Sequence, residues 1–213
     1  MSTTQTDSVA PGTARGQTTR QALLESTLEL VAERGFAATS TQAVLDRAGV
    51  SRGSLLHHFP TRHRLMEAAA EEAVMQKYRS VEAILGTIED PIEALRRFPD
   101  VQWQVQNDVP ARAFAEIVLA ARWDEGLQEG VRATLTSWNR RIRDRIHAVA
   151  DSVGHDDPEA LATEFSVLIA AMQGLGATST FLETEGTVRR TLAALSTRYD
   201  ECLLRGLSGR TGR

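Results

Sequence analysis

The chain has 213 residues, of which 24 are Lys or Arg and 28 are Asp or Glu, so its formal net charge is −4 at pH 7. Hydrophobic residues make up 42% and charged residues 24%, a mixture that is typical of globular proteins and excludes a disordered tail. The negative whole-chain charge argues against a nucleic-acid partner, because such a partner is a polyanion.

Signals for membranes, secretion and metals are sparse. The longest purely apolar run, Val167–Met172, is far shorter than the roughly 20 residues that cross a bilayer. The polar N-terminus lacks the apolar stretch of a secretory signal, so we expect a cytoplasmic protein. Cys202 is the single cysteine, which excludes an intrachain disulfide and a CxxC zinc site. We therefore predict no cofactor and no bound metal.

The N-terminal part of the chain predicts two helices in succession. Apolar residues recur at the 3.6-residue helical period over 19–34, and Gly35 directly after them is typical of a helix end. Ser40 then precedes a short helical segment, 41–48, whose first N–H groups its hydroxyl can cap. The first helix is therefore longer than the second.

A tight connection, Gly49-Val50-Ser51, follows the second helix. Ser51 can cap a third helix, from Arg52 to about Phe59, and Pro60 ends it. Two short helices joined by a three-residue turn that contains glycine are typical of a helix-turn-helix unit, in which the second helix enters the DNA major groove.

The rest of the chain is predicted to be helical throughout. Thr61 can cap a fourth helix from Arg62 towards Leu85, and no segment shows the period-two alternation of a strand. Further helices are predicted at about 91–107, 111–123, 126–151, 158–183 and 186–206. The last two carry more apolar surface than one subunit can cover, which predicts a homodimer through these helices.

Charge is distributed unevenly along the chain. Residues 1–65 hold seven Arg and five acidic residues, a net charge of +2, whereas the remainder carries −6. Within 35–65 there are four Arg against Asp46 alone, and three of the five histidines lie there as well. A small basic module joined to a larger acidic one indicates an anionic partner for the first part.

The most recognisable segment is residues 35–68, GFAATSTQAVLDRAGVSRGSLLHHFPTRHRLMEA. It resembles the N-terminal signature of TetR-family transcriptional regulators, from the Gly-aromatic pair through Ala-Gly-Val-Ser to a recognition helix that ends in His-Phe. The resemblance is strong over residues 19 to about 70 and covers the rest only as an all-helical region of suitable length. It implies nine or ten helices, with an N-terminal three-helix helix-turn-helix DNA-binding domain and a C-terminal helical bundle for effector binding and dimerisation.

The resemblance implies three parts: a flexible N-terminal arm (1–17), a helix-turn-helix DNA-binding domain (18–65) and an effector-binding and dimerisation domain (66–213). It implies a homodimeric repressor, not an enzyme, that a small-molecule effector releases from double-stranded, palindromic operator DNA. The residues do not identify the effector. The alternatives are a helical hydrolase that uses Ser51 and a DNA-binding or interaction module that has no effector.

The family's DNA-contacting positions can be carried over residue by residue. They fall on Ser40 or Thr41, then on Arg52, Gly53, Ser54, Leu56, His57 and His58, and finally on Arg62. Arg52 can present its fork to guanine, and Arg62 can join the N-terminus of the fourth helix in a phosphate contact. Two positions depart from the family pattern. Leu56 stands where Tyr is usual and Leu45 where a small residue is usual, which affects the operator sequence rather than the fold.

Two catalytic or metal-binding interpretations compete with this one. Residues 49–53 match the GxSxG nucleophile elbow with Ser51 as the nucleophile, but that elbow follows a strand and here a helix precedes it. His57, His58 and His63 lack the i, i+4 spacing of a helical metal-binding pair, so phosphate or surface contacts are favoured over a metal site.

Four large apolar residues on the middle helices are candidates for the wall of an effector pocket: Trp103, Phe114, Trp138 and Met172. Cavities that hold ligands form between the helices of such bundles. Ordinary core packing is the alternative for each of the four, and it is slightly favoured because aromatic side chains commonly fill protein interiors.

Overall fold

The structure is a computed structural model that describes residues 11–181 and 185–208. Over those two ranges the chain forms α-helices and one 3-10 turn (Ser179–Phe181), and contains no strand, which confirms the predicted all-α class. The helices are α1 (Pro11–Arg34), α2 (Thr41–Ala48), α3 (Arg52–His58), α4 (Arg62–Leu85), α5 (Pro91–Gln104), α6 (Val109–Ala121), α7 (Glu125–Val153), α8 (Pro158–Thr178) and α9 (Glu185–Ser208).

Side-chain caps fix the starts of the later helices. Asp90, Asp124 and Asp157 each accept a backbone N–H hydrogen bond in the first turn of α5, α7 and α8. A carboxylate there also interacts favourably with the positive end of the helix dipole. Pro91 and Pro158 occupy first helical positions, where the missing N–H is not needed. These local signals explain why the predicted starts of α5 and α8 are correct.

Two predicted segments differ most from the structure, while the bounds of α5, α6, α7 and α9 differ from the predicted ones by at most three residues. Helix α1 begins at Pro11 instead of Thr19, so residues 11–17, expected in a flexible arm, are helical, while residues 1–10 lie outside the described ranges. The extension carries no apolar periodicity, and a pattern search therefore cannot detect it. Helix α8 ends at Thr178, short of the expected residue 183, because the 3-10 turn follows it.

The first three helices pack against the rest of the molecule through one hydrophobic core. It contains buried residues of α1, α2 and α3, the first half of α4, and also Ala113 and Ile117 of α6 and Leu127 of α7. The helix-turn-helix unit therefore does not pack alone, because α6 lies directly against α1 and α4. The predicted domain boundary at residue 65 falls inside α4, which is continuous to Leu85.

A second core lies farther along α4, between α5, the end of α7, α8 and α9. Phe98 stacks on Phe165 with ring centroids 4.4 Å apart, and Tyr199 packs beside them at 6.1 Å from Phe98. Burial is the main reason that the pKa of the Tyr199 hydroxyl is raised. This core holds the C-terminal region together.

Helix α8 is unusually apolar for a helix with so much exposed surface. By length and composition alone it could cross a membrane, yet less than a quarter of its most apolar window is buried within this chain. Leu161, Leu168 and Met172 face the second core, where α8 packs on α7 and α9. Val167 lies on the opposite, exposed side. Helix α8 therefore has a second side, uncharged and made of small and polar residues around Val167, that this single chain does not cover.

Candidate nucleic-acid interface

The connection between α2 and α3 is built from local hydrogen bonds. Ser40 Oγ accepts the N–H of Ala43 at 3.1 Å, and Ser51 Oγ accepts the N–H of Ser54 at 3.2 Å, so both predicted caps are formed. Gly49 ends α2 in the left-handed region, with φ 65° and ψ 31°, where a side chain is disfavoured. The turn thereby fixes the direction in which α3 leaves α2.

Helix α3 is anchored on one side and free on the other. Leu55 and the following Phe59 are 3% and 4% exposed and belong to the first core. Arg52 and Leu56, one helical turn apart, lie on the outer face, and the Leu56 side chain is 48% exposed. The outer face also carries Gly53 and His57, while Ser54 and His58 are half-buried at its edges. Short as it is, α3 thus presents most of the predicted contact residues together.

The start of α2 contributes less free surface. Ser40 is exposed, but its oxygen already accepts the Ala43 N–H, which leaves its O–H for a further partner. Thr41 is half-buried. Leu45, the larger residue that stands where a small one is usual, is buried in the first core, and its carbonyl accepts the N–H groups of Gly49 and Val50. The core accommodates this leucine.

The three histidines do not form one cluster. The rings of His57 and His58 meet edge to face with centroids 5.1 Å apart, and His58 also reaches the N-terminal part of α1 at Gly16. The ring of His63 instead lies against Asp124, with Nε2 3.0 Å from a carboxylate oxygen. His57 is the exposed member of the first pair and therefore the one that faces an approaching ligand.

Arg62, expected to contact phosphate, is turned into the protein. Its guanidinium donates from Nε to the carbonyl of Thr39 at 3.2 Å and from a terminal nitrogen to the carbonyl of Phe36 at 2.7 Å, and it stacks on the Phe36 ring. Partial burial lowers the pKa of Arg62, and the nearby Asp124 carboxylate opposes that shift. Arg62 therefore closes the loop between α1 and α2.

Two of the four arginines in the basic segment, residues 35–65, are already ion-paired. Its four arginines are Arg47, Arg52, Arg62 and Arg64. Arg47 makes a two-pronged ion pair with Glu33, whose pKa its hydrogen bonds lower, and Arg64 pairs with Glu67 at 3.1 Å. Arg52 is exposed and has no ion-pair partner among residues 11–181 and 185–208. The net charge of the segment thus overstates the charge that DNA would meet.

The start of α4 docks closely on the start of α7. His63 packs over Gly126, where an added Cβ would lie 2.8 Å from the imidazole ring, and Glu67 packs over Gly130 one turn later. Asp124 contacts both helices, because it accepts the N–H of Gly126 at the start of α7 and also contacts His63 of α4. This contact connects the end of α4 that carries the helix-turn-helix unit to the turn between α6 and α7.

The four predicted pocket residues are not brought together. Met172 is buried in the second core and Trp103 packs against that core, whereas Phe114 packs against the first one. Trp138 meets Tyr78 edge to face, with ring centroids 5.3 Å apart. Trp103 and Met172 remain candidates for a shared wall, and the other two lie elsewhere.

Sequence reasoning passed over Lys77, which is largely buried where α4 faces the turn after α5. Its ammonium donates to Gln106 Oε1 at 2.9 Å, and burial lowers its pKa from 10.5 to about 8. A signal was present in the composition: Lys77 is the only lysine, and the other 23 basic residues are all arginine.

Ser51 is the N-cap residue of α3. Its oxygen caps α3, and its hydroxyl lies 3.2 Å from that of Ser54. The segment before it, α2, is a helix, whereas a nucleophile elbow follows a strand. The geometry at Ser51 is therefore that of a helix cap.

Comparisons with known proteins point to regulators. The family model described as "Bacterial regulatory proteins, tetR family" matches residues 23–69. The HTH-type transcriptional regulator Rv2912c of Mycobacterium tuberculosis is 27% identical over 158 residues, which cover 74% of this chain and 78% of that protein. The transcriptional repressor AcnR of Corynebacterium glutamicum is 28% identical over 127 residues, covering 55% and 64%. A TetR-family regulator from Rhodococcus sp. shares the fold, with a TM-score of 0.72 at 22% identity over 88% of this chain and 99% of that one.

Proposed function

Since the chain belongs to the TetR family of DNA-binding transcriptional regulators, we propose that it is a homodimeric repressor that a small-molecule effector releases from a palindromic operator. The observation that carries the DNA-binding part is the free face of α3. Arg52 projects there while Leu55 and Phe59 hold the other side in the core. An arginine in that position can donate two hydrogen bonds to a guanine edge.

The proposed dimer uses α8 and α9. Val167 of α8 and Leu204 of α9 are apolar yet exposed, and α8 is apolar over most of its length. A twofold axis next to these helices would bury both faces against their copies. It would also place two α3 helices on one side of the dimer, about 34–36 Å apart, the spacing of successive major grooves.

The effector is proposed to act through α6. This helix packs on α1 and α4 in the first core, so a change in the C-terminal bundle that moves α6 also moves the helix-turn-helix unit. By linkage, effector and operator would weaken each other's binding, typically by about 1–3 kcal/mol.

We assign no catalytic step to Ser51, whose oxygen caps α3.

Capture of genomic DNA fragments by the purified protein, followed by sequencing, tests this function. We expect enriched fragments to share an inverted repeat whose half-sites lie one helical turn apart. Arg52→Ala should bind that repeat about 1–3 kcal/mol more weakly and discriminate less at the contacted base. Arg132→Ala is the matched control, because it removes the same charge from an exposed site on α7. Enrichment of no common sequence would contradict the proposal.

A further inference from the structure

Lys77 is exceptional in both its type and its place. The chain uses arginine at 23 basic positions and lysine once, and that lysine lies largely inside the C-terminal region. The two cations differ physically, because lysine carries a compact ammonium whose charge and protonation respond to burial, whereas arginine stays charged. At an exposed position either cation would serve, as at many of the 23 arginine positions. We therefore look for the reason for lysine at position 77 in the residues that surround it.

Those surroundings are polar but neutral. Gln106 Oε1 accepts one hydrogen bond from the Lys77 ammonium at 2.9 Å and another from Gln102 Nε2 at 3.2 Å. Gln102 and Gln106 are 3% and 7% exposed. No carboxylate of the described ranges forms an ion pair with Lys77, and desolvation alone accounts for its lowered pKa. Two donors therefore share one amide oxygen, and a buried positive charge has no counterion in this part of the chain.

A buried cation with only a neutral partner is unfavourable, and an anion that reached it would satisfy both the charge and the spare N–H groups. We propose that Lys77 and Gln102 form the polar end of the effector site and bind the carboxylate of an amphipathic organic acid, which displaces Gln106 Oε1 from both donors. This inference rests on the proposed function, since it names the chemical class of the effector. One ammonium and one neutral amide donor match a single negative charge.

The neighbouring side chains fit the apolar body of such an acid. Val101 and Val105, which flank Gln102 and Gln106 along the chain, are buried in the second core, and Trp103 packs against it. A ligand whose carboxylate meets Lys77 would therefore have its apolar part directed towards the second core. This combination of one charge and a largely apolar surround is typical of small-molecule sites.

Gln106 also connects the site to the DNA-binding region. It lies in the short turn that leads into α6, and its side chain is held against Gly176 of α8, where an added Cβ would be 3.1 Å from Gln106 Cγ. A carboxylate that takes over the Lys77 ammonium releases Gln106 from it. The displaced side chain has little room on the α8 side, so the start of α6 must shift.

The single lysine makes the test direct, because lysine labelled with 15N at Nζ places one such nitrogen in the whole protein. The probes are benzoate, phenylacetate, octanoate and decanoate, each paired with its primary amide. We expect at least one carboxylate to shift the Lys77 signal saturably and to raise the Lys77 pKa above 9, while its amide leaves both unchanged. If no carboxylate of the series moves the signal, the proposal is wrong.

A pair of variants provides the second measurement. Lys77→Met should weaken binding of the active carboxylate at least tenfold and abolish any effect of that carboxylate on operator binding. Arg79→Met, which removes an exposed cation two residues along α4, should change neither. Carboxylate affinity in Lys77→Met equal to that of the parent overturns the site. Carboxylate binding at Lys77 without any operator binding would instead refute the repressor function and leave the site standing.

Discussion

The DNA-binding region and the C-terminal region place charge and apolar surface in opposite ways. In the first, Leu55 and Phe59 are buried while the cation of Arg52 projects outwards. In the second, Val167 is exposed on the uncharged outer side of α8 while the ammonium of Lys77 is largely inside. Buried apolar side chains and an exposed cation stabilise a single folded chain. An exposed apolar side chain and a buried cation destabilise it.

Each of these two features of the C-terminal region, the exposed side of α8 and the buried ammonium of Lys77, would be stabilised by a binding partner. An exposed apolar face is stabilised when a second apolar face covers it, and a buried charge is stabilised when an opposite charge reaches it. On our proposals the first partner is another copy of the chain and the second is the effector. The DNA-binding region, in contrast, has its apolar residues buried and its cation exposed, so it needs no partner to stabilise this surface.

The largest expected effect comes from the exposed face of α8. Val167→Asp should convert the proposed dimer into monomers, because a carboxylate would be buried against its own copy across the twofold axis. Loss of the second half-site contact should weaken operator binding by roughly 100-fold or more. Light scattering measures the mass and fluorescence anisotropy the affinity. Thr136→Asp, on the exposed surface of α7, is the control and should stay dimeric. A dimeric Val167→Asp variant would place the interface elsewhere.

Lys77→Met should make the protein more stable at pH 7. The folded state lowers the pKa of Lys77 from 10.5 to about 8, so below pH 8 the burial penalty is present in full. It disappears as the pH rises from about 8 to about 10.5, because the ammonium then loses its proton in the folded state first. We expect a gain of about 2–3 kcal/mol in the free energy of unfolding at pH 7. Urea denaturation at pH 7 and pH 10.5 measures it, and a loss of stability at pH 7 would show that the lysine is structural.

The helix-turn-helix part of the fold was predictable because its signals are local. Ser40 and Ser51 each cap a helix with an N–H three residues later, and Gly49 ends α2 within hydrogen-bond reach of Leu45. Such contacts depend on a few neighbouring residues, which a sequence shows directly. The bounds of α2 and α4 were correct for this reason, and α3 differed by one residue.

The environment of single charged side chains was not predictable in the same way. Arg62 reaches the carbonyl of Phe36, 26 residues earlier, and Lys77 reaches Gln106, 29 residues later. Neither pairing leaves a periodic pattern, because it depends on how α4 packs against other elements. The pocket residues failed to converge for the same reason: Phe114 and Met172 sit on helices that face different cores.

Arg62→Ala should reduce stability by about 2 kcal/mol. It leaves the carbonyls of Phe36 and Thr39 without their donor and removes the stacking on the Phe36 ring. Arg64→Ala, in the same helical turn, removes an exposed cation and should change stability by less than about 0.5 kcal/mol. Urea denaturation compares the two. If Arg62→Ala is as stable as the parent but lowers the salt dependence of operator binding, the guanidinium faces phosphate instead.

The smallest expected effect concerns the contact between His63 and Asp124, which joins the two regions. Both side chains are partly exposed, so we expect a coupling free energy of only about 0.5 kcal/mol. Asp124→Asn retains an oxygen that can cap Gly126, and a double-mutant cycle with His63→Ala therefore isolates the contact from the start of α7. The cycle should be measured on operator affinity as well as on stability. A coupling seen in stability but absent from operator affinity would mean that the link between α4 and α7 holds the regions together without transmitting the effector's signal.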